Sequence, residues 1–118
     1  MKNISGKETW DLLKISDDAF LVDVRTEVEW HSVGYPDLSS IGKDLIKITW
    51  EKDEQKFINQ LQEAIPDKHS QIVFICKAGG RSSAAASAAI SSGYNSCYNL
   101  AGGFEMGGWK DSNLPYNK

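Results

Sequence analysis

Apolar residues recur along this chain in two periods, one helical and one of short continuous runs, and the two kinds of segment take turns. Between Asp53 and Ile65, Phe57, Ile58, Leu61 and Ile65 keep helical spacing until Pro66-Asp67 ends the pattern. Ser5 stands where it can cap a helix carrying Trp10, Leu12 and Leu13, with Glu8 at capping-box distance. Phe20-Leu21-Val22, ending at Asp23, reads as a strand, and so do Leu45 to Trp50, Ile72 to Ile75, and Tyr98 to Leu100. Glu27 to His31 predicts one or two helical turns closed by Gly34. From Ser82 to Ser92 the residues are small, with Ile90 the one large apolar side chain, so a helix there can approach a sheet closely; Gly93 suits its C-terminal cap. The glycine-punctuated stretch from Gly102 to Trp109 predicts a further short helix. This alternation is the signature of an α/β domain with a mainly parallel central sheet flanked by helices. No repeat or linker interrupts it, so one domain over residues 1–118 is expected.

The composition narrows the partners. A hydrophobic fraction of 41% and a charged fraction of 25% are ordinary for a soluble globular protein. With a net charge of -3 and no Lys/Arg block, nucleic-acid binding is not expected. No apolar stretch is long enough for a membrane span, and Met1 to Ser5 lacks the apolar core of a secretory signal, so a cytoplasmic location is expected. His31 and His69 have no second ligand at useful spacing, and the two cysteines lie far apart. Neither a metal, a cofactor nor a disulfide is expected.

The chemistry concentrates at Cys76. The Ile72 to Ile75 run delivers this cysteine into the loop Lys77-Ala78-Gly79-Gly80-Arg81-Ser82, which opens the alanine-rich helix. Gly79-Gly80 would let successive N–H groups turn inward as an anion nest. The helix start adds its positive dipole end, and Lys77 and Arg81 add full charges. A thiolate is favoured in such surroundings, and the thiolate is the nucleophile. Cys97 has no glycine or cation nearby and reads as a core residue. Ligands of open α/β sheets sit beyond the carboxyl ends of the strands, which places Asp23 and Cys76 on one rim.

These residues resemble the rhodanese-like sulfurtransferases. Leu21-Val22-Asp23-Val24-Arg25 with Glu29-Trp30 is similar to the family's Asp-Val-Arg motif and its downstream Glu-aromatic pair. Cys76 to Ser82 resembles the active-site loop. Asn99 to Phe104 with Trp109 resembles the C-terminal Gly-Gly and Trp signature, and Leu114-Pro115 the Leu-Pro that closes the domain. Two departures stand out. Gly34-Tyr35 replaces the usual Gly-His, in a Gly-x-Pro-Asp-Leu-Ser run similar to a bacterial single-domain branch, and Gly107-Gly108 lengthens the spacing between Gly103 and Trp109.

The resemblance implies a single rhodanese-like domain in which Cys76 takes sulfur from a small anionic donor such as thiosulfate and passes it to a thiophilic acceptor, a small molecule or a sulfur-relay protein. The N–H groups from Lys77 through Ala78, Gly79, Gly80 and Arg81 to Ser82 would hold the persulfide, and Lys77 and Arg81 the donor. Asp23, Arg25 and Glu29 are expected behind the site, with Arg25 and Glu29 at helix-pair spacing. Trp30, Phe104, Met106 and Trp109 are candidates for pocket walls, although aromatic side chains are more often core. Two other readings share these residues: a cysteine-dependent phosphatase or arsenate reductase, whose loop carries one more residue between Cys and Arg, and a binding module without turnover.

Overall fold

In a computed structural model that describes residues 1–118, five strands form one sheet in the order β1-β6-β5-β2-β4. They are β1 (Lys2–Ile4), β2 (Ala19–Asp23), β4 (Ile46–Lys47), β5 (Gln71–Ile75) and β6 (Cys97–Leu100), and every pairing is parallel. Two further strands, β3 (Tyr35–Pro36) and β7 (Tyr116–Asn117), pair antiparallel and tie the C-terminal end to the segment after Gly34. The helices are α1 (Gly6–Ile15), α2 (Glu27–Ser32), α3 (Glu54–Ala64) and α4 (Gly80–Ser91).

The sheet is buried on both faces, and the period of two along each strand decides which residue goes where. From β5 and its end, Ile72, Phe74 and Cys76 enter one core with Phe57, Ile58 and Leu61 of α3 and Ala85, Ala86, Ala88 and Ala89 of α4. Val73 and Ile75 enter the other, with Leu13 of α1, Leu100, Phe104 and Trp109. Each large apolar side chain removed from water contributes about 1.5–3 kcal/mol, and these two layers supply most of the favourable burial. The alanines let α4 lie close to β5 and β6, which sets where its first turn falls relative to Cys76.

Local signals agree with the sequence at the helix ends. Ser5 and Glu8 form the expected capping box on α1, Thr26 and Glu29 form a second one on α2, and Asp53 caps α3. Such caps stabilise a helix by about 1 kcal/mol each. Gly34 follows α2 with φ +101°, where a Cβ would collide with the Asn117 carbonyl, so the position requires glycine.

Three expectations need correction, and one strand went unforeseen. The strand expected over Leu45 to Trp50 pairs only at Ile46–Lys47; beyond it, Ile48 N–H and Trp50 N–H bond to Asp23 and Val24 carbonyls as the chain follows β2 past its end. The helix expected at Ser82 begins at Gly80. Residues 102–109 form glycine turns, and the short helix is a 3-10 turn at Lys110–Ser112. The β1 strand has no counterpart in the sequence pattern, since only Ile4 of its three residues is buried and no period can show in so short a run.

Candidate active site

Cys76 directly follows β5, and Gly79 provides the N-cap of α4 with φ +122°. That left-handed turn brings the Gly79 N–H to 3.1 Å from Cys76 Sγ, while Ser82 Oγ, in the first turn of α4, lies 3.2 Å from the same sulfur. The sulfur thus occupies the place of a capping group, facing N–H groups that the helix leaves unpaired. Cys76 is only 1% exposed, and burial pushes its thiol up. Hydrogen bonds from Ser82 and from the backbone N–H groups of Gly79 and Ala78 outweigh that burial and hold the thiol below the ordinary cysteine value.

The loop residues divide unequally. Only Gly79 needs its glycine: Gly80 has no left-handed φ, and a Cβ there would meet open space. The Gly-Gly nest expected from the sequence is therefore one left-handed glycine followed by an ordinary first helical residue. Lys77 and Ala78 are exposed at the loop's tip. Arg81 is not free to hold a donor. Its guanidinium forms a two-pronged bond to Glu29, with Nη1 to Oε1 at 2.6 Å and Nη2 to Oε2 at 2.8 Å. These bonds, against a smaller burial cost, hold the Glu29 carboxyl down to about 2. Lys77, which appears in no ion pair, is the cation left available on the loop.

Arg25 also takes a partner other than the one expected. Asp23 ends β2 beside Ile75, so it stands on the predicted rim, yet register partners face the same side and Asp23 points into the layer opposite to Cys76. There it accepts from Arg25 Nε at 3.0 Å, Arg25 Nη2 at 2.8 Å and the Arg25 backbone N–H at 3.1 Å, with both side chains fully buried. Arg25 also donates to the Gly34 carbonyl at 2.8 Å and lies 4.4 Å over the Phe104 ring. The helix pairing expected between Arg25 and Glu29 does not form, because Arg25 precedes the helix and its fork is taken by Asp23.

This buried pair reaches the loop through Phe104. The Phe104 N–H donates to the Cys76 carbonyl at 2.7 Å and the Glu105 N–H to the Lys77 carbonyl at 3.1 Å, clamping the start of the loop from behind. The approach requires glycine: with φ +59°, a Cβ on Gly103 would come within 2.5 Å of the Cys76 and Lys77 backbone. Gly108 backs onto Gly103 in turn, where a Cβ would overlap the Gly103 carbonyl. Of the inserted pair, Gly108 thus belongs to the clamp's own packing, while Gly107 supplies a positive φ of +94° in open space. Phe104 and Trp109 are fully buried, Trp30 is half-buried and Met106 is 62% exposed, so the aromatic candidates are mostly core.

The model of the STR4 middle domain, a rhodanese-like family, matches residues 2–118. The chain belongs to the rhodanese-like family. It is 41% identical, over 98% of its length and 97% of the relative's, to an uncharacterized protein of Rickettsia conorii. A crystal structure of an M. tuberculosis protein superposes with a TM-score of 0.88 at 33% identity, covering 99% of this chain and 97% of that one. The polysulfide-sulfur transferase homodimer of Wolinella succinogenes follows at 0.80 and 26% identity, covering 99% and 78%. The rhodanese-like fold carries sulfurtransferase or related cysteine-dependent chemistry at the level of the superfamily.

One site residue escaped sequence reasoning as a polar contact. Asn99 lies in β6 beneath the loop, 7% exposed, and accepts from Ser82 Oγ at 2.5 Å. The signal is there in the chain: an amide in the otherwise buried end of a strand requires a polar partner.

Proposed function

We propose that this rhodanese-like domain is a sulfurtransferase working through a Cys76 persulfide. The observation that carries the reading is a buried sulfur that accepts from Gly79 N–H and pairs with Ser82 Oγ at the first turn of α4, with its thiol held below the ordinary value. In the first half-reaction the Cys76 thiolate attacks the outer sulfur of thiosulfate, the S–S bond breaks with its electron pair, and sulfite leaves. The product is an anionic Cys76 persulfide. The same loop N–H groups that favour the thiolate favour this persulfide. In the second half-reaction a thiophile such as cyanide or a thiolate takes the outer sulfur and returns the Cys76 thiolate. Both steps exchange one anion for another, so no general acid or base is required, and none faces the sulfur. Lys77 offers the charge that draws an anionic donor to the rim.

The phosphatase reading is disfavoured by Arg81. A phosphate cradle needs a free guanidinium on the oxyanion, whereas Arg81 is occupied by Glu29. Only four residues separate Cys76 from Arg81, which shortens the cradle further.

Intact-mass measurement after incubation with thiosulfate tests the proposal. The chain should gain one sulfur atom, lose it on adding cyanide, and gain none as Cys76→Ser. An unchanged mass together with Cys76-dependent hydrolysis of an aryl phosphate would replace the proposal with the phosphatase reading. An unchanged mass without hydrolysis would favour a module that binds without turnover.

A further inference from the structure

Ser82 has one hydroxyl proton and two neighbours that compete for it. Its Oγ lies 3.2 Å from Cys76 Sγ and 2.5 Å from Asn99 Oδ1. Asn99 in turn donates from Nδ2 to Asn3 Oδ1 at 3.0 Å. Asn3 and Asn99 are register partners of β1 and β6, so their side chains share one face of the sheet. Ser82 is fully buried, whereas Asn3 is exposed on the edge strand. An unbroken polar line therefore runs from the sulfur, under the loop, to the rim of the sheet. In such a line the donor direction of one member constrains the next.

The line has two consistent directions. While Cys76 is a thiol, its S–H donates to Ser82, Ser82 donates to Asn99 Oδ1, and Asn99 Nδ2 donates to Asn3 Oδ1. Once the thiol proton has left for solvent, the sulfur can only accept, and the Ser82 proton must turn toward it. Half a turn of the Asn99 amide then presents Nδ2 to Ser82 and Oδ1 to Asn3, whose own amide turns to donate. Asparagine permits this because its oxygen and nitrogen are nearly equal in size and opposite in role. We propose that Asn99 and Asn3 are positioning residues whose amides turn together and so set whether Ser82 donates toward the Cys76 sulfur or away from it. The control is exerted from an exposed position on the edge of the sheet.

The test follows Cys76 ionisation in the full chain by the pH dependence of its alkylation with iodoacetamide. Asn3→Asp, an acceptor only, holds the Ser82 proton away from sulfur; Asn3→Lys, a donor only, holds it toward sulfur. Alkylation of Cys76 near neutral pH should be about tenfold faster in Asn3→Lys than in Asn3→Asp, with Asn3→Gln close to the parent. The introduced charges would act in the same sense through space, so both variants are repeated with Ser82→Ala. The relay predicts that the difference then shrinks to less than about twofold, since no hydroxyl remains to turn. A difference that survives Ser82→Ala unchanged overturns the proposal, and so do equal rates in the two Asn3 variants when Ser82 is present. Near-UV circular dichroism checks the fold. Should either charged variant be unfolded, the neutral pair Asn3→Ala and Asn3→Gln serves instead: their alkylation profiles should differ only where Ser82 is retained, and equal profiles overturn the proposal. Alkylation requires no sulfur transfer, so its outcome does not depend on whether the persulfide forms.

Discussion

The two cysteines belong to neighbouring strands, Cys76 just past the end of β5 and Cys97 at the start of β6; both are buried, and they differ in what faces them. Cys97, at the start of β6 and 6% exposed, has no hydrogen-bond donor on its sulfur, and burial pushes its thiol up to about 11. Cys76, 1% exposed, is held below the ordinary value because Ser82 and the backbone of the loop donate to it. Burial is thus common to both; it prevails at Cys97 and is outweighed at Cys76. The difference is that one strand ends in a left-handed glycine and a helix start, and the other begins in a closed apolar layer. A thiol becomes a nucleophile where unpaired N–H groups outweigh the loss of water.

The contrast is most vulnerable at the clamp behind the loop. Asp23→Asn leaves the buried Arg25 charge without its counter-ion, and such a break costs roughly 3–5 kcal/mol. Urea unfolding should show a loss of this size, and in the weakened fold the reactivities of Cys76 and Cys97 should move toward each other. A loss under about 1 kcal/mol would show that Arg25 finds another partner.

In the intact protein the contrast itself is directly measurable. With Cys97 at about 11, about a thousandth of it is thiolate at pH 8. Iodoacetamide at that pH should label Cys76 at least about a hundredfold faster, as read by peptide mass. Equal labelling would remove the distinction.

Ser82→Ala makes Cys76 more like Cys97 by deleting one donor. Alkylation near neutral pH should slow by about tenfold, with a stability loss of about 1–3 kcal/mol because the buried Asn99 Oδ1 loses its donor. A rate unchanged in Ser82→Ala would assign the whole effect to the backbone N–H groups.

The smallest effect lies at Glu29. Its folded-state carboxyl is depressed, so the stability it contributes is present above its ordinary value of 4.5 and is lost as pH falls from there toward about 2. The pair is partly exposed, and solvent screening keeps the loss modest. Glu29→Gln should flatten acid unfolding across that window. It should also release Arg81 to act on the thiolate, lowering the Cys76 value further; an unchanged alkylation profile would show that Arg81 does not reach the sulfur.

Much of this site could be read from the chain because its signals are local. The run from Ile72 to Ser82 carries the strand, the cysteine, the turn and the helix start within a few residues, and the capping box at Ser5 and Glu8 is equally self-contained. The polar pairing could not be read in the same way. Arg81 meets Glu29 across 52 positions of sequence, and Ser82 meets Asn99 across 17. Arg25 lies at helix-pair spacing from Glu29 but meets Asp23, because a guanidinium buried ahead of the helix takes the nearest buried carboxylate.

The class of fold, the cysteine of the candidate site and the family are legible in the order of residues, since periodicity, glycine placement and motif order are properties of chain neighbours. Which cation remains free, which face Asp23 serves and how Ser82 is oriented are settled only in the folded molecule. Those outcomes depend on side chains from separate strands and helices competing for the same few donors and acceptors, and that competition exists only once the sheet has brought them together.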